Sequence, residues 1–419
     1  MDFETTGLIP SGVEDSRPVP GDLKRSISNF VTRCAKIHDT PESLPQITEM
    51  CFLSVPRQNF DIAAQNLHNE ANFGDDTKLL SNIASNVYTS QCKPNLHPNE
   101  WAEYERIRKI TPAIHLSQED LRFKNSFKEE WPLVQMFLKT QKTPACLIAH
   151  NGMKFDFRIL YGELMRNKLL EEYPIPDGVF FLDSYLVFLD LEKTHLDNLA
   201  TITTSVNWEK VSEVIQLANA TTNHVEEVVE PGPSGVWNNP GLSSRENIPI
   251  SPGLHNLGAR FNTPPRNMEN QNGGLSSINH EIPRTTGLTT PPRGNGDNQN
   301  GGISPRKGRK LFNDDEVLPL ALMDTGKWSP AKRRRTEKSF FRKVSESKWE
   351  FNELRAKEYF FRGNFKLENL FKQVTKSQYN AHHAHADCEA LLQVCVAYGE
   401  DFGTYMDRRK EEISIFQNK

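Results

Sequence analysis

The sequence predicts an α/β domain: short β-favouring runs alternate with amphipathic stretches, carboxylates stand where those elements meet, and one long segment lacks apolar residues. Of 419 residues, 37% are hydrophobic, and Pro 26 and Gly 24 crowd into one region. One folded domain, interrupted, is therefore expected rather than the two or three that length alone allows.

In chain order, Asp2-Phe-Glu-Thr-Thr-Gly-Leu8 opens as a strand. A polar loop then leads to a helix expected around Leu23 to Ile37, and Ile47 to Val55 reads as a half-buried strand. Leu116 to Thr140 carries Leu121, Phe127, Trp131, Val134, Phe137 and Leu138 at helical spacing, with Ser117 to Asp120 as a start signal. Cys146 to Ala149 is a short strand, Phe155 to Arg166 a helix, Phe180 to Leu182 a strand, and Asp183-Ser184 can cap a helix from Tyr185 to Leu191. Helices are expected again at Phe365 to Phe371 and Asp387 to Tyr398.

Four divisions follow. Residues 1–208 form the first part of the domain, 209–345 an insertion rich in Pro, Gly and Asn, 346–408 the second part, and 409–419 a tail. The insertion is expected to be mostly disordered, because it cannot bury enough apolar surface to order itself. Its basic runs, Arg306 to Lys310 and Lys332 to Arg335, look like a nuclear-import signal, which makes an import receptor an expected partner and the nucleus the expected location, with the cytoplasm as a second one.

Lys plus Arg 50 against Asp plus Glu 54 gives a formal net charge of −4. That sum excludes binding of nucleic acid by bulk positive charge, but not an enzyme that holds acidic metal ligands beside a confined basic groove. Six cysteines without a CxxC pair suit a reduced, intracellular protein, and no membrane span is expected.

Three clusters can carry chemistry. Side chains alternate along a strand, so Asp2 and Glu4 share one face while Phe3 turns inward. Taken alone they could be two solvated carboxylates. Asp156 follows an apolar strand and His150-Asn151-Gly152 into the first turn of a helix, where it could ligate metal or simply suit the helix N-terminus. His382-His383-Ala384-His385-Ala386-Asp387 is the third. Five residues apart on one helix, His382 and Asp387 would diverge by about 140°, so they converge only if His382 precedes the helix. A zinc site or exposed histidines are the alternatives there, and zinc lacks a cysteine at ligand spacing.

Together, Asp2-x-Glu4-Thr-Thr-Gly, His150-Asn-Gly-x-x-x-Asp156 and His382-x-Ala-x-x-Asp387 resemble the three motifs of the DEDDh exonucleases. The finer resemblance is to the three-prime repair DNA exonucleases (TREX family), through Ile47 to Val55, Ile110-Thr and Leu182-Asp-Ser. It spans roughly residues 1–200 and 350–405. It implies a ribonuclease-H-like fold with a mixed central sheet flanked by helices, and metal-dependent 3′→5′ removal of nucleoside 5′-monophosphates from DNA 3′ ends.

The same resemblance implies that Asp2, Glu4, Asp156 and Asp387 hold two Mg²⁺ ions, replaceable by Mn²⁺, and that His382 is the general base. Substrate contacts are implied at Thr5, Gly7, Leu8, Ile110, Asn151 and Lys154, as is a homodimer. An RNA-trimming relative, or a nuclease fold kept for binding alone, are the competing functions. In this family several apolar residues precede the first Asp, so an N-terminal strand longer by roughly five to ten residues is expected for the active form.

Overall fold

The computed structural model of the protein describes residues 1–9, 43–70, 78–225, 317–345, 348–361, 363–413 and 416. Met1–Ala218 and Leu311–Lys419 make one compact unit. Of the other unit, Asn219–Lys310, only the end of the helix Trp208–Val225 is described. The helix expected at 23–37 and the basic run Arg306 to Lys310 lie outside the described residues.

Strands β1 (Asp2–Thr5), β2 (Ile47–Ser54) and β3 (Asn86–Gln91) form an antiparallel ladder in that order. As the middle strand, β2 is covered on both faces, and Ile47, Thr48, Met50, Cys51 and Phe52 are all buried. Strands β4 (Ala145–Ala149) and β5 (Val179–Asp183) pair in parallel, Ala149 opposite Asp183. The nitrogen of Met1 donates to the Ile148 carbonyl at 2.6 Å, and there the two ladders touch. Helices Arg57–Glu70, Phe127–Lys139, Asp156–Arg166, Ser184–Ser205 and Ala384–Tyr398 flank them, the last packing on β1 and β2. A mixed α/β fold is thus adopted, with its sheet in two pieces.

Several elements differ from the sequence expectation. The run Leu116 to Thr140 is two helices, Gln118–Leu121 and Phe127–Lys139. Two capping boxes explain the break: Asp120 accepts from the Ser117 backbone N–H at 2.8 Å, and Glu129 accepts from that of Ser126 at 2.7 Å. A second start signal inside one periodic run therefore ends the first helix. The helix begun by Asp183 continues to Ser205, well past Leu191.

The boundaries expected at 345 and 409 also move. Residues 317–345, assigned to the insertion, include the helix Pro330–Arg335 and the strand β6 (Phe341–Ser345), which pairs with β7 (Lys348–Phe351). Ala331, Phe340 and Phe341 are buried in the main core. In the tail, Ile413 and Phe416 are buried too, Phe416 stacking on Phe181 at 4.9 Å between ring centroids. Both segments supply apolar surface that would otherwise be left facing water.

The run Lys332 to Arg335 is tied into the fold by its ion pairs and hydrogen bonds. Arg335 donates through Nε to Glu192 at 2.8 Å, with side chains 0% and 2% exposed. Its guanidinium also bonds Gln373 and the Asn364 carbonyl and lies over the rings of Tyr359 and Phe365. Arg334 donates to the Val374 carbonyl and Lys332 pairs with Asp401. A tight run of positive charge reads from sequence as solvated, yet here each cation has a carboxylate or carbonyl within reach.

Removing one partner of a fully buried ion pair leaves the other uncompensated, at a cost of about 3–5 kcal/mol. Glu192→Ala should therefore lower unfolding stability by about that amount in urea, while Glu192→Leu combined with Arg335→Met recovers most of it. An unchanged urea midpoint for Glu192→Ala would show that the pair makes no such contribution to stability.

Candidate active site

The site is built on β1. Phe3 is buried against Phe52, while Asp2 and Glu4 are half-buried on the opposite face, the alternation the strand period requires. A bulge between Glu4 and Thr5 ends the regular pairing, Glu4 facing Glu49 across the ladder. From the other end of the chain, Asp387 enters in the first turn of the helix Ala384–Tyr398. One carboxylate oxygen each from Asp2, Glu4 and Asp387 lie within 4.8 Å of one another.

Asp387 and Asp156 are held by hydrogen bonds. Tyr379 donates its hydroxyl to Asp387 Oδ1 at 2.6 Å, and the backbone N–H groups of His382 and His383 donate to Oδ2 at 2.8 and 3.2 Å. His382 makes this possible by adopting φ of 66°, a left-handed conformation that costs a non-glycine residue about 1 kcal/mol or more. It lies before the helix, whose N-cap is His383, as convergence with Asp387 demanded. Its imidazole is half-exposed, with Nε2 3.9 Å from Glu368. Asp156, buried at the start of its helix, accepts from the Phe3 backbone N–H at 3.2 Å and so stands directly behind β1.

Crowding shows in the proton affinities. Burial, then the carboxylates of Asp387, Glu49 and Asp156, push Glu4 up to about 8. Burial raises Asp156 to about 7, although the neighbouring Met1 ammonium pulls the other way. Asp2 is raised well above the usual carboxylate range, by burial first and Asp156 next. Asp387 is also raised, by burial, against the opposing hydrogen bond from Tyr379. Three hard oxygen donors that resist sharing negative charge fit a divalent cation, which would relieve that repulsion.

The remaining candidates fall into two groups. Thr5 is buried and donates its hydroxyl to the Gly7 carbonyl at 2.6 Å, a bond that shapes the turn after β1. Gly7 does not take a left-handed conformation. Its surroundings are open instead, with nothing within 4 Å of where a Cβ would stand. Leu8 and Ile110 are 84% and 71% exposed, so neither belongs to the core. Lys154 is half-buried, next to the turn that holds Asp156.

Asn151 adopts φ of 64°, and its N–H, with that of Met153, donates to the buried Asp183 carboxylate at 3.0 Å. Between them, Gly152 has no room for a side chain, since a Cβ would lie 2.8 Å from Ala149 and from Phe157. Asp183 thus does more than cap its own helix, where it accepts from the Tyr185 N–H: it ties down the loop that leads to Asp156. His150 donates through Nε2 to the Phe365 carbonyl at 2.8 Å, and burial pushes it down to about 4, which keeps it neutral. It clips the two halves of the chain together.

Sequence reasoning missed Tyr379 and this wider role of Asp183. Tyr379 lies in a loop eight residues before Asp387, where no periodicity marks it. The double work of Asp183 was legible only as a cap.

Over part of its length the chain is similar, at a distance, to exonucleases. The relatives that show this are three-prime repair exonuclease 1 of Homo sapiens, 25% identical over 154 residues, and that of Bos taurus, 27% identical over 155. Those stretches are 36% and 37% of this chain and 45% of each relative, so the likeness spans less than half of either relative's length. No family model matches the chain.

The raised carboxylates have a consequence for stability. A carboxyl whose folded value lies above its unfolded one favours the fold when protonated, and that contribution is lost as pH rises from the unfolded value through the folded one. For Glu4 the window runs from 4.5 to about 8. In the presence of a chelator, the melting temperature should fall from about pH 6 to about pH 8. Millimolar Mg²⁺ should restore more of it at the higher pH. Glu4→Gln should flatten the chelator curve; an unaltered slope in that variant would remove Glu4 as the cause.

Proposed function

We propose that the protein is a metal-dependent 3′→5′ exodeoxyribonuclease of the DEDDh type, releasing nucleoside 5′-monophosphates from DNA 3′ ends. The observation that carries this reading is the convergence of Asp2, Glu4 and Asp387, with Asp156 bound to the backbone between the first two. Three of the four carboxylates of the motif resemblance meet there, and the fourth, Asp156, lies against the backbone of their strand, which supports the reading.

Asp2, Glu4 and Asp387 would hold Mg²⁺ or Mn²⁺, with Asp156 serving a second ion. Metal bound there supplies Lewis-acid activation of the scissile phosphate and of water. His382, outside the helix and half-exposed, takes the proton from the attacking water on an imidazole nitrogen. Tyr379 and the His382 and His383 N–H groups keep Asp387 aimed. Leu8 and Ile110 offer apolar surface to the terminal bases, a contact tolerant of sequence, and Lys154 a cation for the phosphate. Thr5, Gly7 and Asn151 shape the loops around that end. A preference for DNA rests on the names of the relatives, as does repair or degradation of DNA as the setting.

Homodimerisation, and a nuclear location served by Arg306 to Lys310, complete the proposal. Lys332 to Arg335 is left out of it, because Arg335 is committed to the core and Lys332 is paired with Asp401.

Labelled DNA and RNA strands incubated with Mg²⁺ test the reading. The protein should shorten DNA from its 3′ end in single-nucleotide steps, faster than RNA. Asp387→Asn should abolish this, and His382→Ala should lower kcat by about 10²–10⁴-fold with little change in KM. Faster digestion of RNA would transfer the function to RNA trimming, and no digestion of either would leave a binding protein.

A further inference from the structure

Beside the carboxylate cluster lies a second group of donors that shares none of its residues. Glu49 on β2 brings a carboxylate oxygen to 3.5 Å from Nε2 of His115, and the rings of His115 and His383 stand 4.0 Å apart at 43°. Donor atoms of Glu49, His115 and His383 lie within 4.8 Å of one another, all three residues half-buried. Three separate elements converge to make this group: β2, the loop after Pro98–Arg108, and the N-cap of the helix Ala384–Tyr398.

We propose that Glu49, His115 and His383 form a binding site for one transition-metal ion of the Zn²⁺ class, separate from the carboxylate cluster. Two imidazoles and one carboxylate make a donor set suited to zinc, with a fourth position left for water or another ligand. Mg²⁺ instead prefers oxygen donors and retains its waters, so the two donor sets on this fold differ in the ions they favour.

An ordinary structural explanation accounts for only part of the arrangement. Glu49 accepts from the Ala384 N–H at 3.2 Å, which satisfies the start of that helix. An ion pair with His115, however, needs that ring protonated. Burial and the adjacent His383 hold the His115 imidazole below its ordinary value, even though Glu49 and the carbonyls of His382 and Ala113 favour the charged form. Its buried Nδ1 makes no hydrogen bond of acceptable geometry. The two imidazole rings, 4.0 Å apart, and the Glu49 carboxylate thus bring nitrogen and oxygen donors to one point that the ordinary ion pair does not use up.

An ion there would fasten the turn that carries His382. His383 follows it directly, and the N–H groups of both residues already hold Asp387. It would also place positive charge beside Glu4, which faces Glu49 across the ladder.

The test uses the full chain, stripped of metal, and Co²⁺ as a coloured substitute for Zn²⁺. Imidazole ligation in a four- or five-coordinate site gives intense visible bands, whereas octahedral oxygen ligation gives weak ones. Wild-type protein and Asp2→Asn should both develop the intense bands at one equivalent, and Zn²⁺ should bleach them. His115→Gln and His383→Gln, each checked for native circular dichroism, should lose the bands and the tight Zn²⁺ binding measured against a chromophoric chelator. Undiminished Zn²⁺ binding in both histidine variants would overturn the proposal, as would loss of the bands in Asp2→Asn, which would put the ion among the carboxylates.

Discussion

Everything about this fold must accommodate one constraint: Asp2, Glu4, Asp156 and Asp387 are carried to the same end of β1, where burial and mutual repulsion disfavour their charges. The surrounding structure meets it with donors. Asp387 takes three hydrogen bonds, from Tyr379, His382 and His383, and Asp156 takes the Phe3 N–H. Asp2 and Glu4 have no comparable set among the described hydrogen bonds, and burial raises both. Asp2 and Glu4 therefore keep a repulsion that protein donors do not relieve. Such a site is prepared for charge that arrives from outside.

Holding that arrangement depends on joining two parts of the chain that are far apart in sequence. The helix Ala384–Tyr398 packs on β1 and β2, burying Ala384 and Cys388 against Cys51, so its first turn is set directly over the strand carrying Asp2 and Glu4. Deeper in, Glu192 receives Arg335, Tyr398 and Tyr359 together. One carboxylate thereby links the long helix after β5, the helix Pro330–Arg335 and the C-terminal end of the helix that begins near Asp387. Displacing Arg335 would loosen the support of the site from below.

The alternation of strand and helix was legible because apolar periodicity is local, and so was the shared face of Asp2 and Glu4, which follows from a period of two. The loop position of His382 was legible for the same kind of reason, since five residues on one helix cannot face one point. What stayed hidden depends on distant partners. Arg335 looked solvated because Glu192 is 143 residues away, and 409–419 read only as a tail because nothing local shows Phe416 stacking on Phe181. β3 was missed because Asn86–Gln91 is polar and largely exposed, an edge strand with no apolar phase to read. Polar residues reveal their work only when the fold supplies the other half of each bond.

The positions of Glu4 and Glu49 show how closely one ladder can set two environments. Directly opposite residues in an antiparallel pair share a face, so their carboxylates would simply repel if nothing else intervened. Their other neighbours differ: Glu4 is crowded by Asp2 and Asp387, whereas Glu49 meets His115, His383 and the Ala384 N–H. The turn at His382 and His383 divides them. His382 donates its backbone to Asp387 in the first group, and His383 does the same while its ring belongs to the second. The left-handed backbone of His382 aims both N–H groups at Asp387, and the next residue turns its ring toward His115. A strained residue of this kind persists because both groups hold the turn it makes.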